Sequence, residues 1–313
     1  MKRFIYPILQ CSSFVLNKWM GNFNDCIWLI GDGRSGTTWI SALLNSSGMR
    51  REIFEPMHPD YVEYQAKYKG YHYLGFQDEC PELKAFYQRV FSGDFRSFWA
   101  DRGGLRFRYK GVVVKDIFAS LLAESIIPQF PNVKPIWRVR HPFAVADSKV
   151  KTAKKGYKWN LDLNVFLEQP RLIDRFLSPY SKMVRNINYS DSDFLKYVVT
   201  WCIINFLPLH GNLQREVPIV FFERIVSGET DQIEAISGTQ IDWQKFYTPS
   251  KLASDDFRGP RIKSVEELCH GLNKSEIEDA NFVLDQFNLS SIYAEPAKPK
   301  LPSYTKSGRK FSS

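Results

Sequence analysis

Apolar residues along the chain gather in five short runs, Cys26–Ile30, Glu52–Phe54, Gly111–Val114, Pro135–Val139 and Pro218–Phe222. The runs are rich in Val, Ile, Phe and Trp and do not alternate strictly with polar residues, as expected of strands covered on both faces. Between them the spacing becomes helical: Thr38–Asn45, closed by Gly48, then Pro81–Phe91, Ile117–Ile127, Phe143–Lys151 and a long stretch near Phe194–Gln214. Strands alternating with helices predict an α/β fold of three layers, a P-loop-like parallel sheet of about five strands flanked by helices. Near the end, SVEE at Ser264–Glu267 and SEIE at Ser275–Glu278 each match a capping box, and the second predicts a helix through about Asn288.

The ends of the chain read differently. Residues 4–16 are mostly apolar after two basic residues and are interrupted by Pro7. That is short of the roughly 20 residues a spanning helix needs, and no small-residue cleavage site follows, so residues 1–24 read as a docking or interfacial segment. From Glu295 the chain is rich in Pro, Lys and Ser with little to bury, and residues 295–313 read as a disordered basic tail. The remainder, 25–294, is expected to form one domain; 44% hydrophobic and 15% aromatic residues are ample for its core.

A net charge of +8 favours an anionic partner without choosing among nucleic acid, anionic lipid, nucleotide and acidic glycan. The five cysteines are far apart and never form a C-x-x-C pair, so neither a zinc site nor a disulfide framework is signalled. A reducing, cytoplasmic compartment is the simplest expectation, with peripheral membrane contact through residues 4–16. Cys26 and Cys202 lie in apolar runs and read as core.

In a parallel α/β sheet, ligands bind beyond the carboxyl ends of the strands. The residues there are Gly31–Thr38 after the first run, Glu55, Pro56 and His58 after the second, Lys115 and Asp116 after the third, Arg140 and His141 after the fourth, and Glu223 after the fifth. The first set, GDGRSGTT, has the glycines of a phosphate-binding loop but Thr37 where a nucleotide-hydrolysing loop carries lysine. Gly31, Gly33 and Gly36 permit a tight turn with inward N–H groups, and the following helix adds its positive end, so the loop is an anion nest with Arg34 as its own cation. Without the lysine, a ligand with a short 5′ anionic group and no third phosphate fits best. In WRVRHPFAVADSKV, Trp137–Val150, Ser148 follows Arg140 by eight residues, which predicts a guanidinium and a hydroxyl near one phosphate.

Together these two motifs resemble the sulfotransferases that use 3′-phosphoadenosine 5′-phosphosulfate (PAPS). The resemblance implies that GRSGTTW, with Gly33, Arg34, Ser35, Gly36, Thr37, Thr38 and Trp39, holds the 5′-phosphosulfate, and that Arg140 and Ser148 hold the 3′-phosphate, with no metal required. IFEPMH, Ile53–His58, is similar to the acidic segment after the second strand in carbohydrate sulfotransferases; VVVKDIF and VFFERIV are similar to later strands of that branch. The chain departs from the cytosolic aryl and steroid branch, which has lysine at the position of Arg34 and a catalytic Lys-Thr-His segment absent here. TPSKLASDDFRG, Thr248–Gly259, loosely resembles a late nucleotide-binding loop and adds Ser250 and Arg258.

Sulfuryl transfer needs an acceptor hydroxyl or amine in line with sulfur, a base for its proton and cations around the leaving phosphate. Glu55 is assigned as base, with His58 as the replacement if the carboxylate is structural. Arg34 and the loop amides stabilise the departing oxygen, and Lys115 assists or pairs with Asp116 or Glu55. Glu223 reads as structural, and His72, His141, His210 and His270 as polar packing. The lysine run from Ser148 to Trp159 reads either as a solvated basic face or as an acceptor rim with Tyr157 and Trp159. The partner expected is a carbohydrate or glycolipid acceptor and no nucleic acid. The rivals are a nucleotide kinase or hydrolase and a non-catalytic binder of nucleic acid or anionic membrane.

Overall fold

The structure is a computed structural model and describes Val15 and residues 25–62, 70–101, 109–157, 159–213, 216–242, 260–295 and 298–301. Five parallel strands, β1 (Asp25–Gly31), β2 (Arg50–Phe54), β3 (Gly111–Asp116), β4 (Val133–Val139) and β5 (Ile219–Phe221), form one sheet in the order β2-β3-β1-β4-β5. The helices that position the site and its cores are α1 (Thr37–Leu44), α2 (Pro81–Phe91), α3 (Ala123–Gln129), α4 (Pro142–Ala153) and α5 (Asp193–Leu209). They are followed by α6 (Phe222–Val226), α7 (Asp231–Ser237), α8 (Val265–Cys269) and α9 (Lys274–Gln286).

The apolar runs lack strict alternation because both faces of the sheet are covered. Cys26, Trp28 and Ile30 of β1, with Val112, Val114 and Trp137, turn into a large core built with α2, α4, α5 and α9. Ile27 and Leu29, with Val113 and Ile136, turn into a smaller one under α1, α6 and α7. Arg138 follows Trp137 on β4 and therefore belongs to the thinner layer, where it is fully buried.

Three helix expectations need correction. The stretch from Ile117 starts late: Asp116 Oδ1 accepts from the Phe118 N–H, and this local turn keeps the chain out of helix until a 3₁₀ turn at Ser120–Leu122 leads into α3. The long helix ends at Leu209, ahead of Gly211 in a left-handed conformation. The box at Ser275 is not the cap of α9. Asn273 caps it, accepting from the Glu276 N–H while Glu276 returns a bond to the Asn273 N–H; Asn caps as well as Ser, and the box two residues upstream wins. The box at Ser264 forms as expected. Among the described residues no helix is long and apolar enough to cross a membrane. Cys26, Cys80, Cys202 and Cys269 are free thiols, and burial raises the Cys26 and Cys202 thiols well above their ordinary range. Of the expected N-terminal segment 1–24 only Val15 is described, and residues 302–313 also lie outside the described residues.

Candidate functional site

The loop after β1 runs from Asp32 into α1, with Gly36 as the N-cap at φ 88°. Only three non-glycine residues among those described have positive φ: Arg34 (65°), Glu55 (44°) and Asn288 (55°). Asn288 follows α9, where asparagine tolerates the left-handed turn that ends a helix. Arg34 and Glu55 have no such local excuse. Each conformation costs about 1–3 kcal/mol, and such strain persists where the surroundings over-determine it, as in binding sites.

Arg34 Nε donates to Ser148 Oγ at 3.0 Å, and Arg140 Nη1 donates to the Arg34 carbonyl at 3.3 Å. Residues over a hundred positions apart in sequence are thus brought together, and Ser148 is met by the loop arginine rather than by Arg140. Burial, then the neighbouring Arg140 charge, pushes the Arg34 guanidinium below its usual range. Burial does the same to Arg140, offset in part by Glu223. Beneath the loop, Lys149 Nζ donates to both oxygens of Asp32 at 2.7 Å, an ion pair closed off from solvent. Sequence reasoning missed this pair because Lys149 sits inside a lysine run; the structure removes it from that run. Trp159 covers it, donating from Nε1 to Thr152 Oγ1 at 2.8 Å and pressing on Gly33, where a Cβ would come within 2.7 Å of the indole.

Ser35 is buried and donates to the Asp32 carbonyl at 2.5 Å, so its hydroxyl shapes the loop. Thr37 is buried and Thr38 half-buried in the first turn of α1. Trp39 turns its ring into the thin core, edge-on to Phe222 at 5.5 Å, so only its backbone faces the loop. Ser250 and Arg258 lie outside the described residues.

Across the sheet edge, Glu55 and Lys115 form a buried ion pair through Oε1 and Nζ, and the Glu55 N–H donates to the Lys115 carbonyl. Of the two partners expected for Lys115, Glu55 is the one it meets. Its ammonium also stands 3.9 Å from the Phe54 ring centroid. His58 is buried among Tyr61, Trp99 and Phe118, with ring centroids 4.5–4.7 Å away. Its Nδ1 accepts from the Asp60 N–H, which assigns any proton chemistry of this ring to Nε2.

Glu223 braces the opposite end. It accepts from the His141 N–H at 3.0 Å and from the Tyr293 hydroxyl at 3.1 Å. His141 caps α4 through Nδ1, and burial with the Arg140 charge pulls it down to about 3, so it stays neutral near pH 7. A small cleft beside Arg140 is lined by His141, Glu223, Arg261, Lys263 and Leu268. Arg261 and Lys263 were not singled out from the sequence; the two cations in Pro260–Lys263 were the signal available.

No protein-family model matches the chain, and no curated protein matches it. Among solved structures it is similar to retinol dehydratase in complex with androsterone and the inactive cofactor PAP, at 16% identity over 76% of this chain and 66% of that one, with a TM-score of 0.28. A retinol dehydratase complex with retinol and PAP is 13% identical over 89% of this chain and 85% of that one, with a TM-score of 0.35. The chain spans slightly under two thirds of the length of the first. At these scores the likeness carries no weight for the site, which stands on its own geometry.

Proposed function

We propose that this chain is a sulfotransferase that moves a sulfuryl group from PAPS to a hydroxyl or amine of an acceptor. The observation that carries the reading is the junction of the two anion motifs, Arg34 bonded to Ser148 and Arg140 bonded to the Arg34 carbonyl, beside a loop with no lysine. A donor with one anionic group at its 5′ end and another at 3′ asks for two such motifs side by side. Arg34 and the amides around Gly36 would hold the 5′ end, and Arg140 with Ser148, once Arg34 turns to the ligand, the 3′-phosphate.

The donor supplies an electrophilic sulfur and a stable phosphate leaving group. Glu55 takes the acceptor proton, Lys115 fixes the orientation of its carboxylate through Oε1, and Arg34 stabilises charge on the departing oxygen. The acceptor proposed, a carbohydrate or glycolipid, rests on the similarity of Ile53–His58 alone.

The test is thermal unfolding with adenosine 3′,5′-bisphosphate (PAP) and no added metal. At about a hundredfold its dissociation constant it should stabilise the fold by ~2.7 kcal/mol, well beyond the effect of AMP at the same concentration. Equal stabilisation by AMP sinks the 3′-phosphate site.

A further inference from the structure

Arg138 belongs to no part of the scheme above. It lies on β4 next to Gly31 of β1 in the sheet register, two residues before Arg140, and its side chain has no exposure to solvent. All three guanidinium nitrogens, Nε, Nη1 and Nη2, lack a hydrogen-bond partner among the described residues. The group is nevertheless firmly placed. Nη2 lies 2.8 Å from where a Cβ on Gly36 would stand, so the guanidinium fills the space that the glycine leaves open at the N-terminus of α1. Phe222 holds it from the other side, with Arg138 Cζ 5.2 Å and Arg140 Cζ 4.4 Å from the same ring centroid.

A buried cation without a partner is among the costliest features a fold can carry. This one is also beside the positive end of a helix and a second arginine. Glu223 is the carboxylate whose charge reaches it, but both Glu223 oxygens are engaged by the His141 N–H and the Tyr293 hydroxyl. Burial pulls the guanidinium down to about 9 in spite of Glu223. The charge is thus uncompensated from within the described residues, and the anion-binding loop is the element it adjoins, at Gly36.

We propose that Arg138 is a buried counter-charge for the anion held by the Gly31–Thr38 loop, a positioning residue that acts through Gly36 from below while Arg34 acts from above. In the terms of the proposed function, on which this rests for the identity of the ligand, the anion is the 5′ group of the donor. The inference itself requires only that the loop bind an anion.

The consequence is a pair of effects that a structural arginine does not produce. Removing the charge should make the ligand-free protein more stable and its ligand binding weaker. The experiment is thermal unfolding of the full chain, wild type and Arg138→Met, alone and with PAP or inorganic pyrophosphate. The expected result is a higher melting temperature for unliganded Arg138→Met and a loss of roughly 10- to 100-fold in PAP affinity. Arg138→Gln gives the affinity loss if Met does not fold. A lower unliganded melting temperature in both variants, or PAP affinity equal to wild type, overturns the proposal. If wild type answers to pyrophosphate but not to PAP, and Arg138→Met abolishes the response, the sulfotransferase reading fails and the counter-charge stands. A wild type that answers to neither anion overturns both.

Discussion

At the ends of β1, β4 and β5 three arginines, Arg34, Arg138 and Arg140, gather, and the carboxylate nearest the last two, Glu223, is already hydrogen-bonded elsewhere. At the ends of β2 and β3, one strand away, the Glu55 carboxylate and the Lys115 ammonium cancel each other in a buried pair. One half of the site holds a buried charge, that of Arg138, left uncompensated among the described residues; the other has made its own pair. On the proposed reading an anion belongs to the first half, where it would relieve a cost, and a neutral acceptor whose proton must be removed belongs to the second.

The sharpest way to break this contrast is to neutralise the paired half. Glu55→Gln keeps size and hydrogen-bonding reach but cannot accept a proton, so transfer should fall by roughly 10²–10⁴-fold while PAP still stabilises the protein. Because Lys115 then stays buried without its carboxylate, the unliganded variant should also lose stability, by about 3–5 kcal/mol, the reverse of what Arg138→Met should do. An acceptor assay is needed, and a screen of sugars, glycans, lipids and phenols with labelled donor supplies it. Should Glu55→Gln transfer at the parental rate while His58→Ala is inactive, the proton goes to His58 Nε2 and the carboxylate only positions.

The arginine half can be divided further. On the proposed function Arg34 holds the loop's ligand from above, so Arg34→Ala should lower turnover by roughly 10²–10³-fold. Arg140, on the other motif, should mainly hold the donor, and Arg140→Ala should raise its KM by roughly 10- to 100-fold with a smaller change in kcat. Steady-state kinetics with PAPS separates the two. Identical effects of both variants on KM and kcat would mean that the arginines serve one phosphate and not two.

The two halves were unequally legible in the sequence. The sheet was readable because strands buried on both faces leave unbroken apolar runs, and the residues at their carboxyl ends follow directly from where each run stops. What could not be read was pairing. Arg34 meets Ser148, and Asp32 meets Lys149, across more than a hundred residues, and nothing periodic connects them. Lys149 was hidden in a basic run and Arg138 in an apolar one, since an arginine within a strand announces neither which face it takes nor that its partner is missing. The Lys115 pair was expected in kind but open between Asp116 and Glu55, because adjacent strand residues face opposite ways and the apolar run does not say which way Lys115 turns. The start of α9 was misplaced for a local reason, two overlapping capping boxes of equal merit.

The last test asks whether the paired half is as closed as its geometry implies. Asp116 ends β3 beside Lys115, fully buried, its Oδ1 accepting from the Phe118 N–H and its Oδ2 from the Tyr87 hydroxyl, both at 3.2 Å. Burial pushes its carboxyl up to about 8; the Glu55 charge adds to this, and Phe118, Tyr87 and Lys115 oppose it. An unfolded chain ionises the same group near ~3.9. Between about pH 4 and pH 8 the folded state therefore keeps a proton that the unfolded state has released, and the stability due to this group falls as pH rises, by at most about 1.4 kcal/mol per pH unit. Asp116→Asn removes the ionisation and retains an acceptor for the Phe118 N–H. Urea unfolding of both proteins from about pH 5 to pH 9 should show the difference moving in favour of the variant up to about pH 8 and flattening above it. A difference independent of pH would mean that Asp116 ionises in the fold as it does in the unfolded chain, and that this half of the site is open to water after all.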